Sequence, residues 1–309
     1  MSTKITAALI GTAIGIDFDE NQQAIIQGKA EPGVVIAGAG SGKTTLMAAR
    51  VAYLIANGEA PSNAVLGLTF TNLAIGSFQK KVRTTLFKLV ELLSNEGLAI
   101  PGQLLDDVDE PTIITYDAFA ARIVREHGLR LGIEPDSTVL TDARREQLAA
   151  YVIQRTKLPL ADFGMPFSTV LEHVLKLDDA LSNYDLEIDK VRHFDDDVIA
   201  RIGLMSKPIT AVKEIKATAE ERNSLLDVVL EFRDHKKYTD HLDYADIARY
   251  ALALVRDHKS VRDAYAQQFQ AVLLDEYQDT SVSQRELMRS LFADGRAITA
   301  VGDPLQSIY

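Results

Sequence analysis

The chain has 309 residues, of which 47% are hydrophobic and 25% charged, and its formal net charge is −11. The fractions of hydrophobic and charged residues exclude a disordered chain, and the length suffices for one large or two modest hydrophobic cores. The absence of cysteine excludes disulfide bonds, thiolate metal sites and cysteine nucleophiles. No apolar run approaches the roughly 18 to 20 residues that span a bilayer, and the apolar stretch 5–16 lacks a credible signal-peptide cleavage site, so we expect a cytoplasmic protein.

In chain order, the first predicted elements alternate between short strands and helices. Residues 5–16 are predicted to be a strand or a helix. Residues 34–36, 65–68 and 113–114 are predicted strands because they are apolar and rich in β-branched side chains. The alternation returns between residues 271 and 303. This pattern is typical of α/β proteins in which helices cover a parallel sheet.

The region between about residues 120 and 240 is predicted to be helical instead. Segments 142–154, 167–181 and 209–232 carry apolar residues at spacings of three and four, which is typical of amphipathic helices. The economical interpretation is a helical insertion within one α/β domain. We therefore predict a first portion of that domain at residues 1–122, an inserted helical subdomain at 123–240 and a return to the first domain at 241–309.

A glycine-rich loop follows the strand at 34–36 and precedes a helix, the order that a phosphate-binding loop requires. Its small residues let backbone N–H groups turn toward an anion, and the helix N-terminus adds its positive dipole end. We expect Lys43 to bind the β- and γ-phosphates of a nucleotide and the Thr44 hydroxyl to bind Mg²⁺. An ordinary turn is the alternative. The predicted nucleotide-binding residues of the loop are Ala37, Gly38, Ala39, Gly40, Ser41, Gly42, Lys43, Thr44 and Thr45.

Two adjacent carboxylates follow the apolar segment 272–274. Asp275 is predicted to supply a second contact to Mg²⁺, and Glu276 has the chemistry of a general base that takes a proton from an attacking water. Gln306, after the last predicted strand, could hydrogen-bond the γ-phosphate side and that water. A solvated strand end is the alternative for the carboxylates. The predicted catalytic residues are Lys43, Asp275, Glu276 and Gln306, and the predicted metal ligands are Thr44 and Asp275.

Two segments give a specific resemblance to a known family. Residues 275–280, Asp-Glu-Tyr-Gln-Asp-Thr, and residues 302–309, Gly-Asp-Pro-Leu-Gln-Ser-Ile-Tyr, resemble motifs II and III of the UvrD/Rep/PcrA group of superfamily 1 DNA helicases. Residues 19–22 resemble the Q motif of that group, which implies that Gln22 reads the adenine edge. The resemblance also implies a RecA-like P-loop NTPase fold, ATP and Mg²⁺ as cofactors, 3′ to 5′ movement on single-stranded DNA and its junctions with duplex, and a role in DNA repair.

The resemblance further implies DNA contacts at two strand ends. Residues 69–72 resemble motif Ia and residues 115–119 resemble motif Ib, although Leu73 stands where the family usually has lysine. Aromatic rings at the carboxyl ends of strands suit base stacking, whereas a core position for Tyr116 is an equal alternative. The implied DNA-binding residues are Phe70, Thr71, Asn72, Thr115, Tyr116 and Tyr309.

The net charge of −11 is the main argument against a nucleic-acid partner, because lysine and arginine usually dominate binding to phosphates. Basic residues gathered on one face would answer it, but a charged helix face is usually just solvated. The candidate clusters are Lys80, Lys81, Arg83 and Lys88; Arg122, Arg125 and Arg130; and Lys236 and Lys237.

The resemblance also bears on what lies outside the chain. Members of the family continue after Tyr309 with the rest of motif III and a second motor domain that supplies arginines to the γ-phosphate. RecA-type motors close their site between two such domains. We therefore expect a fragment without the second motor domain, which binds nucleotide weakly and hydrolyses it poorly. Two alternatives stay open: the motor part of a RecB- or AddA-like helicase–nuclease, and an ATP-binding regulatory module that does not unwind DNA.

Overall fold

The computed structural model describes residues 4–38, 40–105, 110–156, 164–292 and 295–307. The chain divides into two compact units. The first comprises Met1–Phe119, Val255–Thr280 and Leu287–Tyr309, and the second comprises Ala120–Leu254 and Ser281–Glu286. The second unit thus begins close to the predicted boundary at residue 122 but continues past the predicted boundary at residue 240.

The described residues form the following elements. In chain order the strands are β1 (Gly33–Ile36), β2 (Val65–Thr69), β3 (Thr112–Thr115), β4 (Thr138–Val139), β5 (His241–Leu242), β6 (Ala271–Leu274) and β7 (Ala297–Gly302). The helices are α1 (Ala7–Ile14), α2 (Glu20–Ile26), α3 (Lys43–Ala56), α4 (Asn72–Asn95), α5 (Tyr116–His127), α6 (Asp142–Arg155), α7 (Phe167–Asn183), α8 (Ile188–Gly203), α9 (Thr210–Tyr238), α10 (Tyr244–Asp257), α11 (Lys259–Gln268) and α12 (Val282–Phe292). The ambiguous stretch 5–16 therefore contains a helix, α1.

The first unit is built on a sheet with the strand order β1-β7-β6-β2-β3, in which every neighbouring pair is parallel. All residues of β2 and β6 are buried, as expected of central parallel strands that helices cover on both faces. The predicted α/β class with a parallel sheet is confirmed. Because the strands are parallel, their carboxyl ends share one edge, and the predicted loop and both carboxylates follow strands at that edge.

A buried arginine holds helix α2 against this sheet. The Arg50 guanidinium, on α3, donates to the carbonyl oxygens of Ile25, Ile26, Gly28 and Lys29 and to the Thr299 hydroxyl on β7, at distances of 2.9–3.1 Å. These carbonyls lie at the end of α2, where the last turn of a helix lacks partners of its own. Burial lowers the pKa of Arg50, but the five acceptors satisfy the charge. The segment before the phosphate loop is therefore fixed to both α3 and β7.

The second unit has a helical core from α6, α7 and α9. Buried side chains at the predicted helical spacings pack together there: Ile153, Val170, Val174, Leu181, Leu225, Leu226, Val228 and Val229. Helix α8 lies in the region predicted to be helical but outside the three segments named there, and the short parallel strands β4 and β5 were not predicted. Helix α9 also continues to Tyr238, beyond the predicted end at residue 232.

A buried ion network explains why the second unit extends beyond residue 240. Lys236, on α9, is 1% exposed and its ammonium group lies 3.3 Å from Asp178, 2.6 Å from Asp243 and 2.8 Å from Asp246. Arg145 contacts Asp178 and Asp243 as well. Burial disfavours the charged form of Asp243, but Lys236 and Arg145 outweigh this and lower the pKa of Asp243 to about 2. The network ties α6, α7, α9 and the first turn of α10 together.

Replacing Lys236 with methionine is expected to destabilise the second unit by roughly 3–5 kcal/mol, because three carboxylates would then face one another with one cation fewer. Urea unfolding followed by far-UV circular dichroism at neutral pH measures the change. Lys216→Met is the matched control, since Lys216 lies on the same helix and pairs with Glu220 at the surface; the expected change there is below about 0.5 kcal/mol. Equal effects of the two substitutions would contradict the role given to Lys236.

Within the part of the chain that the structure describes, no helix is both long and apolar enough to cross a membrane.

Candidate active site

The loop after β1 has the backbone geometry of an anion-binding turn. Gly40 and Gly42 have φ angles of 74° and 83°, a left-handed conformation that residues with side chains rarely adopt. Ser41 closes the turn by donating from its backbone N–H and its hydroxyl to the Gly38 carbonyl. Helix α3 begins at Lys43 and, among the described residues, receives no side-chain cap. The Thr45 N–H donates to the Gly42 carbonyl, whereas the N–H groups of Lys43 and Thr44, at the start of the helix, suit an anion.

Lys43 and the two predicted carboxylates come together at the sheet edge. The Lys43 ammonium group lies 3.1 Å from Glu276 Oε2, and 11% of the lysine side chain is exposed. Asp275 is buried, and its Oδ1 accepts a 3.0 Å hydrogen bond from the Glu276 N–H. The contact between Lys43 and Glu276 joins two residues that are 233 positions apart in the sequence. The fold thus assembles the site from two remote segments.

The carboxylate segment combines electrostatic and backbone strain. Burial raises the pKa of Asp275 to about 6; the neighbouring Glu276 carboxylate adds to the rise, while Lys43 and Lys81 oppose it. Glu276 has φ 48° and ψ 41°, a left-handed conformation that is uncommon for a residue with a side chain. Perturbed carboxylates and strained backbone are both enriched at functional sites.

The two threonines after Lys43 have different surroundings. Thr44 is half-buried in the first turn of α3. The Thr45 hydroxyl accepts a 3.0 Å hydrogen bond from the ammonium group of Lys81, on α4. Lys81 was predicted as part of a basic surface cluster, and the neighbouring Arg83 is paired with Glu110. The structure therefore places one member of that cluster beside the phosphate loop.

The segment after β7 reaches the same edge. Asp303 is buried, and its carboxylate accepts a hydrogen bond from the Gln306 side-chain amide. A methyl group built at Gly38 would lie 3.8 Å from Asp303 Oδ2, which puts this carboxylate beside the phosphate loop. Gln306 itself is exposed. Its predicted catalytic role stays a prediction.

Gln22, the residue predicted to read adenine, lies in the first turn of α2. Asp19 and Gln22 form a reciprocal capping box, in which the Gln22 N–H donates to Asp19 and the Gln22 Oε1 accepts from the Asp19 N–H. The Gln22 side-chain N–H₂ group is not used in this box. Gln23 donates to the Phe18 carbonyl. The adenine contact of Gln22 stays a prediction. In the structure, the amide oxygen of Gln22 accepts a hydrogen bond in the helix cap.

Apart from Tyr309, the predicted DNA-binding residues lie at or just after the ends of β2 and β3. These two strands pair with Thr69 opposite Thr115. The Thr71 and Thr115 hydroxyls accept from the backbone N–H groups of Ala74 and Ala118, so both serve as local caps. Phe70 is half-buried, whereas Asn72 is exposed.

Tyr116, for which base stacking and a core position were equal alternatives, has a buried ring in the structure. Only 2% of Tyr116 is exposed, its ring centroid lies 4.9 Å from that of Phe70, and its hydroxyl donates to the Asp275 carbonyl at 3.1 Å. Burial also raises the pKa of Tyr116 well above its usual value. The sequence did not distinguish a base-stacking position from a core position, since an aromatic residue after a strand is compatible with both.

Two of the predicted site residues, Ala39 and Tyr309, lie outside the described residues. Conversely, three residues at the site were not predicted to belong to it: Lys81, Gln278 and Asp303. Lys81 was predicted to be a surface cation, and no role was predicted for Gln278 or Asp303 within the segments that resemble motifs II and III. The sequence feature that could have predicted a site role for Gln278 is its place between the two carboxylates and the last strand. A glutamine in a turn, however, has no chemistry that by itself indicates such a role.

The fold and this site define a class of protein: a RecA-like α/β domain with a phosphate loop after β1 and paired carboxylates after β6. The sequence agrees with that class. The UvrD/REP helicase N-terminal domain family matches residues 18–309, and the chain belongs to this family.

Three relatives illustrate the similarity. A probable DNA helicase II homolog of Mycoplasma capricolum is 23% identical over 94% of this chain and 35% of its own length. The corresponding protein of Mycoplasma pneumoniae is 25% identical over 96% of this chain and 36% of its own length. The ATP-dependent DNA helicase PcrA of Staphylococcus aureus is 26% identical over 90% of this chain and 32% of its own length. The chain therefore spans about a third of the length of these curated relatives.

Asp275→Asn is expected to stabilise the magnesium-free protein. The folded-state pKa of about 6 lies above the ordinary value of 3.8, so ionising Asp275 opposes folding above pH 6. The difference of about 2 pKa units corresponds to roughly 3 kcal/mol. This penalty vanishes below pH 3.8, where the carboxyl group is protonated in both states.

Urea unfolding in EDTA measures the effect at several pH values. The stability of the variant relative to the original chain should rise between pH 4 and pH 7. A difference that stays constant over this range would contradict the pKa assigned to Asp275.

Proposed function

We propose that this chain binds magnesium-ATP and single-stranded DNA and is the first motor domain of an ATP-dependent DNA helicase or translocase. The observation that carries the proposal is the 3.1 Å contact between Lys43 and Glu276 beside the buried Asp275. A lysine from a phosphate loop and two carboxylates at one sheet edge are the groups that phosphoryl transfer from a nucleotide requires. Membership of the helicase family supports the same function.

The loop suits the phosphates of ATP. The left-handed Gly40 and Gly42 turn the backbone before α3, and the helix start offers N–H groups and a positive dipole end. Lys43 adds a cation that is mostly buried, which strengthens its attraction for an anion. A triphosphate at this loop would compete with Glu276 for the Lys43 ammonium group.

Thr44 and Asp275 are the residues that would hold Mg²⁺. Magnesium usually keeps several waters and takes only one or two protein ligands together with the substrate phosphates. This agrees with the described residues, which contain no cluster of three histidine or acidic side chains suited to a metal ion. Bound magnesium would neutralise charge on the β- and γ-phosphates.

Glu276 is the proposed general base. Its carboxylate, 39% exposed, is accessible to a water and would take the proton as the water oxygen attacks the γ-phosphorus. The bond from the γ-phosphorus to the bridging oxygen breaks, and ADP leaves. Lys43 would stabilise the negative charge on the transferring phosphoryl group throughout. Gln306, after the end of β7, is proposed to orient that water or the γ-phosphate.

Single-stranded DNA is the proposed track, with movement from 3′ to 5′ and action at junctions with duplex DNA. The proposed contacts are Phe70, Thr71, Asn72 and Thr115, which lie at or just beyond the carboxyl ends of β2 and β3. Phe70 supplies a ring at this edge, and the buried Tyr116 packs against Phe70. The backbone N–H groups at the start of α4 would suit a DNA phosphate.

Two substitutions separate nucleotide binding from hydrolysis. Lys43→Met should weaken ATP binding by about 10- to 100-fold, because it removes a charged contact to phosphate. Glu276→Gln should not weaken ATP binding, because it removes the carboxylate that pairs with Lys43, and should lower turnover by about 10²- to 10⁴-fold, because it removes the base. Titration with a fluorescent ATP analogue and single-stranded-DNA-stimulated phosphate release by the full-length natural protein measure the two quantities.

The result for Glu276→Gln decides between the proposed roles. Normal turnover by this variant would remove Glu276 as the general base. If single-stranded DNA does not stimulate phosphate release by the unchanged protein, an ATP-binding module without motor activity is the better account.

Phe70→Ala is expected to weaken binding of single-stranded DNA by about 1–3 kcal/mol, because it removes one stacking platform. Fluorescence anisotropy with a labelled oligothymidine at fixed salt measures the affinity. Phe87→Ala is the matched control: Phe87 is exposed on α4 but lies about 22 Å along the helix from its start, given a rise of about 1.5 Å per residue. Equal losses in the two variants would contradict a specific contact at Phe70.

A further inference from the structure

The side chain of Gln278 connects the proposed general base to the end of β7. Its Nε2 donates to Glu276 Oε2 at 2.9 Å and to Asp279 Oδ2 at 3.1 Å. Its Oε1 accepts from the Asp303 N–H at 3.0 Å. Only one orientation of the amide satisfies all three contacts, because the nitrogen faces two carboxylates and the oxygen faces an N–H group.

The chain leaves space for this amide at one residue of β7. A methyl group built at Gly302 would lie 2.5 Å from Gln278 Oε1 and 3.2 Å from the Gln278 backbone nitrogen. Gly302 does not have a positive φ, so the absence of a side chain matters here for space and not for backbone conformation. The Ser307 hydroxyl also donates to the Gln278 carbonyl at 3.3 Å.

Glu276 Oε2 receives contacts from two sides, from Lys43 at 3.1 Å and from Gln278 at 2.9 Å. A triphosphate that engages Lys43 weakens the first contact and leaves the second. The side chain that then fixes the carboxylate is Gln278. The left-handed backbone of Glu276 costs free energy and persists only where surrounding contacts hold the residue, and the hydrogen bond from Gln278 is one of those contacts.

We propose that Gln278 is a positioning residue that holds Glu276 for proton transfer and links its position to the backbone at Asp303. This inference rests on the proposed function, because it assigns Gln278 a role in the same hydrolysis. Gln278 acts through Glu276 and not on a reacting atom. A movement of the segment after β7 would therefore change the position of the Glu276 carboxylate through the Gln278 amide.

The test uses Gln278→Met, which keeps the length of the side chain and removes both hydrogen-bonding groups. In the full-length natural protein, this substitution should lower kcat for DNA-stimulated ATP hydrolysis by about 10- to 100-fold, a part of the contribution of a general base. KM for ATP should change by less than about twofold, because the hydrogen bonds of the Gln278 side chain go to Glu276, Asp279 and Asp303 and not to the described residues of the phosphate loop.

Gln79→Met is the matched control for this substitution. Gln79 lies in the same unit, and its side-chain amide donates to the Ile113 carbonyl. Because this contact involves neither Glu276 nor Asp303, kcat of the control variant should not change.

A second variant and a double mutant keep the inference testable if Gln278→Met folds poorly. Gly302→Ala displaces the amide without changing Gln278, and should lower kcat in the same way. If Gln278 acts through Glu276, adding Gln278→Met to Glu276→Gln should lower the residual turnover by less than about twofold.

The outcomes separate this inference from the proposed function. If Glu276→Gln abolishes turnover while Gln278→Met and Gly302→Ala retain kcat, the positioning role is wrong and the proposed function stands. A double mutant that loses the full factor of both single variants also overturns the positioning role, because independent losses indicate a structural effect. If Glu276→Gln retains turnover, Glu276 is not the general base and the positioning role of Gln278 is wrong as well. The proposed motor function fails if single-stranded DNA does not stimulate hydrolysis by the unchanged protein.

Discussion

The parallel direction of all neighbouring strands in the five-stranded sheet is the constraint on which the site depends. Parallel strands bring their carboxyl ends to one edge, so segments far apart in the sequence meet there. The order β1-β7-β6 places the loop after β1 close to the carboxylates after β6 and puts the segment after β7 between them. Lys43 can contact Glu276 only because of this order.

The two units use buried charge differently. In the second unit, Lys236 and Arg145 lower the pKa of Asp243, although burial raises the pKa of Asp246 and of Asp179. At the edge of the first sheet, burial instead raises the pKa of Asp275, and Lys43 and Lys81 do not overcome it. An under-compensated carboxylate destabilises the fold but attracts a cation. Three carboxylates contact Lys236 directly, which is the physical reason to assign a structural role to that cluster. Asp275 forms no ion pair among the described residues, which supports the binding role proposed for it.

Local patterns predicted much of the fold and part of the site. The strand, loop and helix around Lys43 were predictable because glycine spacing and apolar runs act within a few residues. Tyr116, Lys81 and Gln278 were not, because their partners are remote: the Asp275 carbonyl, the Thr45 hydroxyl and the Asp303 N–H. Helix α9 likewise extends past residue 232, because Lys236 in its last turns contacts buried carboxylates on other elements.

A crystal structure with Mn²⁺ and a non-hydrolysable ATP analogue tests the central claim most directly. The account predicts that the β- and γ-phosphates contact Lys43 and that an anomalous peak for Mn²⁺ lies within coordination distance of Thr44 and Asp275. A nucleotide bound away from the loop that precedes α3, or a metal ion that contacts neither residue, would contradict it.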